Sequence, residues 1–410
     1  MTDGISAPLA YLVSRYPAIS HTFILREISR LRLLGHRIHT ASINAPDRSI
    51  DDMDPVERGE ALATYFVKSA GIAGALGSLL YWSSRAPGRL LKAMVMGARM
   101  SGMRGIAYAV EAAMVARWMR RQQLAHLHVH FGNAGASVGV LVKALTGCHL
   151  SYTIHGPDEF DDVAGQHLAQ KMHAADAVVC ISQFVRGQLM RISAPLDWAK
   201  FQVCRLGVDS GQFTFRAPSR GRSHIRMGCV GRLTPAKGQV LLVQACARLR
   251  DAGLDFSVKL VGEGPDRPRI EHAIAEHQLG DRIELTGAMT QDGVRRVLAD
   301  ADIFVLPSLA EGIPVVLMEA MSSGVPCVST PVNGIPELIE HGKSGLLATP
   351  GDAQSLAEQL LALSRDEGLR CDIARTAQHK VQMQFDLSRN VSRLSGVFGG
   401  FPAAPLARHS

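Results

Sequence analysis

Short apolar stretches rich in β-branched residues alternate with segments of helical period along most of this chain. Residues 9–13 (LAYLV) read as a strand. Residues 22–34 then place apolar side chains at 23, 24, 28, 31 and 34, the one-face spacing of an amphipathic helix, and Gly35 ends it. Further strands are predicted at 38–43, 127–130, 150–154 and 177–181, each of the last three with a helix-compatible stretch behind it. The rhythm restarts after Asp209, with strands at 226–230, 257–261, 282–286, 303–306 and 326–329 and helices at 239–250, 268–277, 292–299 and 315–323. Such alternation predicts an α/β protein with parallel sheets and crossover helices. Two halves are expected, 1–205 and 206–385, joined near 203–215, where Gly207 and Gly211, with Pro218 just beyond, mark a linker. A last helix is expected within 386–400, and 401–410 reads as a frayed tail.

Residues 69–124 break the rhythm. They hold no convincing strand but three helical patterns, at 69–82, 87–100 and 106–123, the last two separated by 101–105. This segment reads as a helical insertion in the first half.

Composition narrows the choice. A chain of 410 residues corresponds to two or three domains at about 150 residues each. It is 47% hydrophobic and 20% charged, enough to bury sizeable cores. Aromatics at 5% argue against a base-stacking RNA binder, so no nucleic-acid partner is expected. No apolar run reaches 18 residues, and of the longest, 71–82 and 105–116, the second contains Glu111, so no spanning helix is expected. The start lacks the basic and apolar blocks of a secretory signal. The seven cysteines are scattered without a C-x-x-C pair, which suggests neither disulfides nor zinc and fits a reducing, cytoplasmic setting.

The formal charge of +7 is local. Arg85, Arg89, Lys92, Arg99, Arg104, Arg117, Arg120 and Arg121 sum to +8 and Glu111 removes one, so residues 85–121 carry the whole excess. Leu90, Leu91, Met94, Val95 and Met96 supply apolar surface beside them. Two readings stand: a solvated face over a packed insertion, or a basic amphipathic element for an anionic membrane surface, peripheral at the inner face of the cell membrane.

Three segments carry candidate chemistry. In 308–324 (SLAEGIPVVLMEAMSSG), Glu311 lies in a loop after a strand, and Glu319 falls about one turn into the next helix. The helix start between them offers free N–H groups to an anion, and the carboxylates can hold hydroxyls. In 230–238 (VGRLTPAKG), Arg232 and Lys237 set two cations at a strand–loop–helix corner, suited to clamping a diphosphate leaving group. In 152–158 (YTIHGPD), His155 ends a strand and Gly156 permits close backbone approach. Each segment alone also fits a solvated loop or a hydrogen-bonded strand-end residue. His128 and His130 in HVHFG read as structural, since no third ligand is paired with them.

Together these segments resemble the retaining glycosyltransferases of family 4, of GT-B fold, with two Rossmann-like domains facing across a cleft. The matching pieces are YPAISHTFILREISRL, HVHFG, TIHGPDEF, RLGVDSGQF, VGRLTPAKG, LVGEGP, EGIPVVLMEAMSSGVPCVST and EHGKSGLLATPGD, which span nearly the whole chain except 45–125 and the tail. The opening is similar to that of enzymes making bacterial exopolysaccharides of the colanic-acid type. The resemblance implies that Arg232 and Lys237, beside Gly231, hold the donor diphosphate, that Glu319 binds the ribose diol and that Glu311 contacts the sugar's hydroxyls. It implies that His155, beside Gly156, approaches the sugar from the facing domain, and that Ser20 and Thr22 line the same cleft. It places the backbone of Gly312, Ile313, Val315, Val316 and Leu317 at the phosphates, Gly262 and Gly264 near the nucleotide, and Ala288 and Met289 beside the base. It also implies that a C-terminal helix, 386–398, returns to the first domain.

The expected reaction transfers a sugar from a UDP- or GDP-sugar to a hydroxyl of a lipid-linked saccharide acceptor, with retention and without metal, cofactor or general base. A nucleotide-sugar epimerase and a non-catalytic nucleotide-binding scaffold are the alternatives. Two residues depart from the family pattern. Pro314 stands where glycine is commoner and removes a backbone donor, and His21 stands where glutamate is frequent. Several matches are discounted. Gly342-Lys343-Ser344 lacks the earlier P-loop glycine, which falls on Glu337, and Gly262-x-Gly264 runs on to Arg267 rather than glycine. Asp52-Met53-Asp54 reads as a solvated turn, and 158–162 (DEFDD) as a solvated acidic loop reaching the acceptor.

Overall fold

The computed structural model describes residues 8–218, 221 and 223–401, apart from the side chain of Ser20. The tail expected at 401–410 lies outside the described residues except for Phe401. The chain divides into two compact units, one of Met1–Cys204 with Val391–Ser410 and one of Arg205–Asn390.

In the first unit, among the described residues, β1 (Leu9–Arg15), β2 (Ile38–Asn44), β3 (Tyr65–Phe66), β4 (His126–His130), β5 (His149–Ile154), β6 (Ala177–Cys180) and β7 (Phe201–Val203) form one parallel sheet in the order β3-β2-β1-β4-β5-β6-β7. Its central strands are buried on both faces, as expected when helices cover both sides. The sequence of β4, HLHVH, alternates histidine with Leu127 and Val129, so His126, His128 and His130 share one face. Register sets His128 beside Ser151 and His130 beside Thr153 of β5. The same face packs against Tyr11 of β1 and against Phe398 of the C-terminal helix Leu387–Gly399, whose ring lies 5.5 Å from His126 and 5.0 Å from His128.

The insertion is helical, Gly71–Arg85 followed by Pro87–Arg121. The break expected at 101–105 narrows to Ser101 and Gly102, which leave helical geometry. Gly97 and Gly105 explain the tight fold-back: a Cβ on Gly97 would stand 2.3 Å from the Gly105 carbonyl oxygen. Trp82 is buried and donates its Nε1–H to the Ala113 carbonyl at 3.0 Å. No described helix is long and apolar enough to cross a membrane.

The second unit contains β8 (Ile225–Val230), β9 (Phe256–Val261), β10 (Ile283–Gly287), β11 (Ile303–Leu306), β12 (Cys327–Ser329) and β13 (Leu346–Leu347), all parallel, in the order β10-β9-β8-β11-β12-β13 among the described residues. Met227, Leu242, Leu249, Val258 and Leu360 pack one core, and Phe304, Leu317, Met321 and Phe385 another. Each such side chain contributes about 1.5–3 kcal/mol by leaving water. The edge strands β3, β7 and β13, with two or three residues each, were too short for periodicity to reveal. The helices Pro55–Ala63, Ala353–Arg365 and Glu367–Gln384 also went unpredicted.

Candidate active site

Loops following β8, β9, β11 and β12 meet at the carboxyl end of the second sheet. The strand order reverses between β8 and β11 there, the position at which open α/β sheets bind ligands. Backbone crowding makes the meeting possible. Gly262, at φ +145°, brings the β9 loop so close that a Cβ would sit 2.0 Å from the Gly231 oxygen. Gly238, at φ +66°, would collide likewise with the Pro307 oxygen at 2.2 Å. Leu233 N–H donates to the Glu263 oxygen at 3.0 Å and Leu309 N–H to the Ala236 oxygen at 2.7 Å, tying the loops together.

Lys237 and Glu311 come together at this corner. Lys237 Nζ lies 2.6 Å from Glu311 Oε1, which also accepts the Ser308 hydroxyl at 2.7 Å. The Glu311 N–H donates to Asn333 Oδ1 at 3.2 Å, which fixes the loop. Glu311 Oε2 has no hydrogen-bond partner among the described residues. Arg232 is exposed, and its guanidinium makes no ion pair among the described residues. Glu319, only 6% exposed, lies on the helix Val315–Ser322, which begins directly after Pro314. The first-turn amides of Val315, Val316 and Leu317 have no intrahelical acceptor. The side chains of Ile313 and Leu317 belong to the core, so only their backbone is available to a ligand. Gly312 packs closely on Gly334, where a Cβ would meet its oxygen at 2.1 Å. Gly264 approaches Leu233 in the same way. Ala288, exposed, and Met289 follow β10, whose Gly287 oxygen accepts the Gly262 N–H at 2.9 Å.

In the first unit, His155 follows β5 and Thr22 opens the helix Thr22–Leu33. Ser20 lies in the short turn Ile19–His21, with its side chain outside the described residues. His155 Nε2 is 2.9 Å from His130 Nδ1, and the rings of Phe131 and Phe23 are centred 4.5 and 4.9 Å from it. Burial first, then His130 and His21, hold its pKa well below the usual histidine range. His128 is kept neutral in the same way, and burial pushes His126 down to about 3.

Two expectations are corrected here. The acidic loop at 158–162 is not wholly solvated. Glu159 is buried and clamps the site, accepting the N–H of His155 at 2.6 Å, of Gly156 at 2.9 Å and of Gly132. Burial lifts its carboxyl to about 7 against those three donors. Buried Lys171 adds a tie to the Gly132 oxygen at 2.8 Å. His128 and His130 also have a third potential ligand, Glu27, with one ligand atom from each residue lying within 4.8 Å of the others. Both nitrogens of His128 already stand within hydrogen-bond distance of hydroxyls, 2.8 Å to Ser151 and 2.9 Å to Thr153.

Of the discounted matches, Asp54 caps the helix Pro55–Ala63 in a reciprocal box with Glu57. Lys343 pairs with Glu340 on an exposed turn. Sequence reasoning missed Glu27, Tyr11, Ser308, Asn333, Glu159 and Lys171. Glu27 left a trace, since it shares the buried face of Ile24, Ile28 and Leu31, where a charge needs a partner.

Two Rossmann-like parallel sheets, with paired acidic and basic groups at the switch point of the second, define a GT-B glycosyltransferase. The fold matches the crystal structure of Anabaena Alr3699/HepE in complex with UDP and glucose, with a TM-score of 0.74 at 18% identity over 96% of this chain and all of that one. A sucrose-phosphate synthase from Thermosynechococcus elongatus matches with a TM-score of 0.73 at 17% identity, covering 95% of this chain and 98% of the other. The chain belongs to the family 4, group 1 glycosyltransferases: residues 22–212 match the model "Glycosyltransferase Family 4" and 224–366 the model "Glycosyl transferases group 1". It is 30% identical to the putative colanic acid biosynthesis glycosyltransferase WcaL of Salmonella typhimurium, over 92% of this chain and 96% of that protein. It is 36% identical to the amylovoran biosynthesis glycosyltransferase AmsK of Erwinia amylovora, over 63% and 66% respectively.

Proposed function

We propose that this enzyme transfers a sugar from a nucleoside diphosphate sugar to a hydroxyl of a lipid-linked saccharide, with retention, in the assembly of a bacterial surface polysaccharide. The carrying observation is the corner where Lys237 Nζ lies 2.6 Å from Glu311, with exposed Arg232 on the same loop as Lys237, the helix start at 315–317 just after Glu311, and Glu311 Oε2 unpartnered among the described residues. Positive groups fixed in place stabilise the diphosphate as its bond to the sugar breaks, without reorganising at that moment. Glu311 Oε2 accepts a sugar hydroxyl, and Glu319 takes the ribose diol. The acceptor oxygen bonds to the anomeric carbon on the face the diphosphate leaves, and its proton passes to a diphosphate oxygen. No protein nucleophile or general base enters. The fixed cations take the charge-neutralising role, so turnover is expected to survive EDTA.

The relatives' names support the polysaccharide setting, and the solved neighbour with UDP and glucose supports a UDP-sugar donor over a GDP-sugar. The insertion supports a membrane-borne acceptor. Arg85, Arg89, Lys92, Arg99 and Arg104 are exposed together with Ile72, Leu80, Leu91 and Met103, a basic and apolar surface fit for anionic lipid at the inner face of the membrane. The test is a donor screen against lipid-linked oligosaccharides, following nucleoside diphosphate release and the product's anomeric configuration by NMR. Release with a retained configuration is expected. An inverted product, or donor epimerised without acceptor, would reject the proposal.

A further inference from the structure

His155 holds a buried ring nitrogen that bonds to none of the described residues. Its Nδ1 is shut off from solvent and has no hydrogen-bond partner among the described residues, a costly state that asks for one. The other nitrogen, Nε2, is 2.9 Å from His130 Nδ1. A nitrogen–nitrogen contact of this length holds one proton, so one ring donates and the other accepts.

The next residue along decides which. His130 Nε2 lies 3.2 Å from Glu27 Oε1, and the same oxygen accepts the Tyr11 hydroxyl at 2.9 Å. The His130–Glu27 contact is off the ideal hydrogen-bond line, so the carboxylate acts through its charge as well as its lone pair. An ionised carboxylate only accepts, which places the His130 proton on Nε2. His130 Nδ1 is then an acceptor, His155 Nε2–H the donor, and His155 Nδ1 a bare lone pair. The reverse arrangement sets a His130 lone pair against the carboxylate and buries an orphaned N–H on His155. Orphaned N–H groups are rarer in folded proteins than under-satisfied acceptors.

We propose that Glu27 and His130 are positioning residues that fix the tautomer of His155, with its proton on Nε2, so that Nδ1 is an acceptor reserved for a substrate hydroxyl. The assignment of the hydroxyl rests on the reading of His155 as a sugar contact. Phe23 and Phe131 flank the ring, both only partly buried, and Phe131 is held at φ +71°, a conformation bulky residues rarely adopt.

The tautomer is read by 15N NMR of the full-length protein, in which a bare imidazole nitrogen and an N–H nitrogen resonate far apart. Wild type is expected to show His155 protonated on Nε2. Glu27→Met keeps the volume but removes the acceptor that holds the His130 proton on Nε2. It should move the His155 proton to Nδ1 and lower kcat/KM for the donor about 10- to 100-fold with the fold intact. Tyr11→Phe leaves the carboxylate in place and should leave the tautomer on Nε2, which separates the relay from a general loss of packing. Wild-type His155 protonated on Nδ1 would overturn the proposal. So would a Glu27→Met variant with unchanged tautomer and unchanged kcat/KM, or one equivalent of divalent metal that Glu27→Met removes. Undiminished transfer by His155→Ala would instead remove the sugar-contact reading and leave the tautomer result standing.

Discussion

The carboxyl ends of β8, β9, β11 and β12 present charge, with Arg232 in solvent and Lys237 held 2.6 Å from Glu311, whereas the carboxyl ends of β4 and β5 present two buried histidines 2.9 Å apart beside partly buried rings. Both sites sit on parallel sheets of the same α/β design. The first suits a polyanion, because Lys237 is held by Glu311 and Arg232 is open to solvent. The second suits a hydroxyl, because burial holds the His155 pKa well below the usual range, and a neutral ring discriminates by which nitrogen holds the proton. The side chains of the two sheet ends do not overlap in chemistry.

The largest effect is expected at Lys237. Lys237→Ala should lower transfer about 100- to 1000-fold while circular dichroism stays unchanged. Near wild-type turnover would show that the charged corner does no chemistry. A step smaller, Gly262→Ala puts a Cβ where the Gly231 oxygen stands and forces the β8 and β9 loops apart. About a tenfold rise in the donor's KM is expected, with little change at the histidine site. The KM for donor, measured beside the His155 NMR signal, checks both halves of that statement.

The histidine end responds to pH through its clamp. Burial raises the Glu159 carboxyl from 4.5 to about 7, so the folded state favours the protonated form. Its contribution is fully present below about 4.5 and is lost as pH rises through about 7, on the order of 3 kcal/mol over that window. Denaturant midpoints between pH 4.5 and 8 should fall with pH in wild type and lie flatter in Glu159→Gln. An equal slope in both would remove Glu159 as the titrating group. The smallest effect is expected away from both sites. Asp54→Ala should cost about 1 kcal/mol of stability by uncapping its helix and leave turnover alone. A large loss of turnover would contradict the reading of that aspartate as a cap.

The same contrast explains what the sequence made legible. Strands such as Ile303–Leu306 and helices such as Gln239–Asp251 follow from apolar period and turn residues. The charged corner was legible because its chemistry lies in short consecutive stretches, with Arg232 and Lys237 in one loop and Glu311 and Glu319 around one helix start. The histidine relay was not, because Tyr11, Glu27, His130 and His155 come from four separate segments and meet only through strand register and helix packing. Glu159 was misread because a run of acidic residues looks solvated throughout, and only the fold shows which one turns inward to three backbone donors. The two-residue strands β3 and β13 are set by their neighbours' ladders and leave no periodicity to find.

The most direct measurement is calorimetric titration of UDP and GDP into the wild-type protein and into the double variant Arg232→Ala/Lys237→Ala. Wild type is expected to bind one of the two nucleotides, and the double variant to bind it at least about 100-fold more weakly with its thermal unfolding unchanged. Equal affinity in the two proteins would contradict the assignment of the diphosphate to this corner, and with it the proposed reaction.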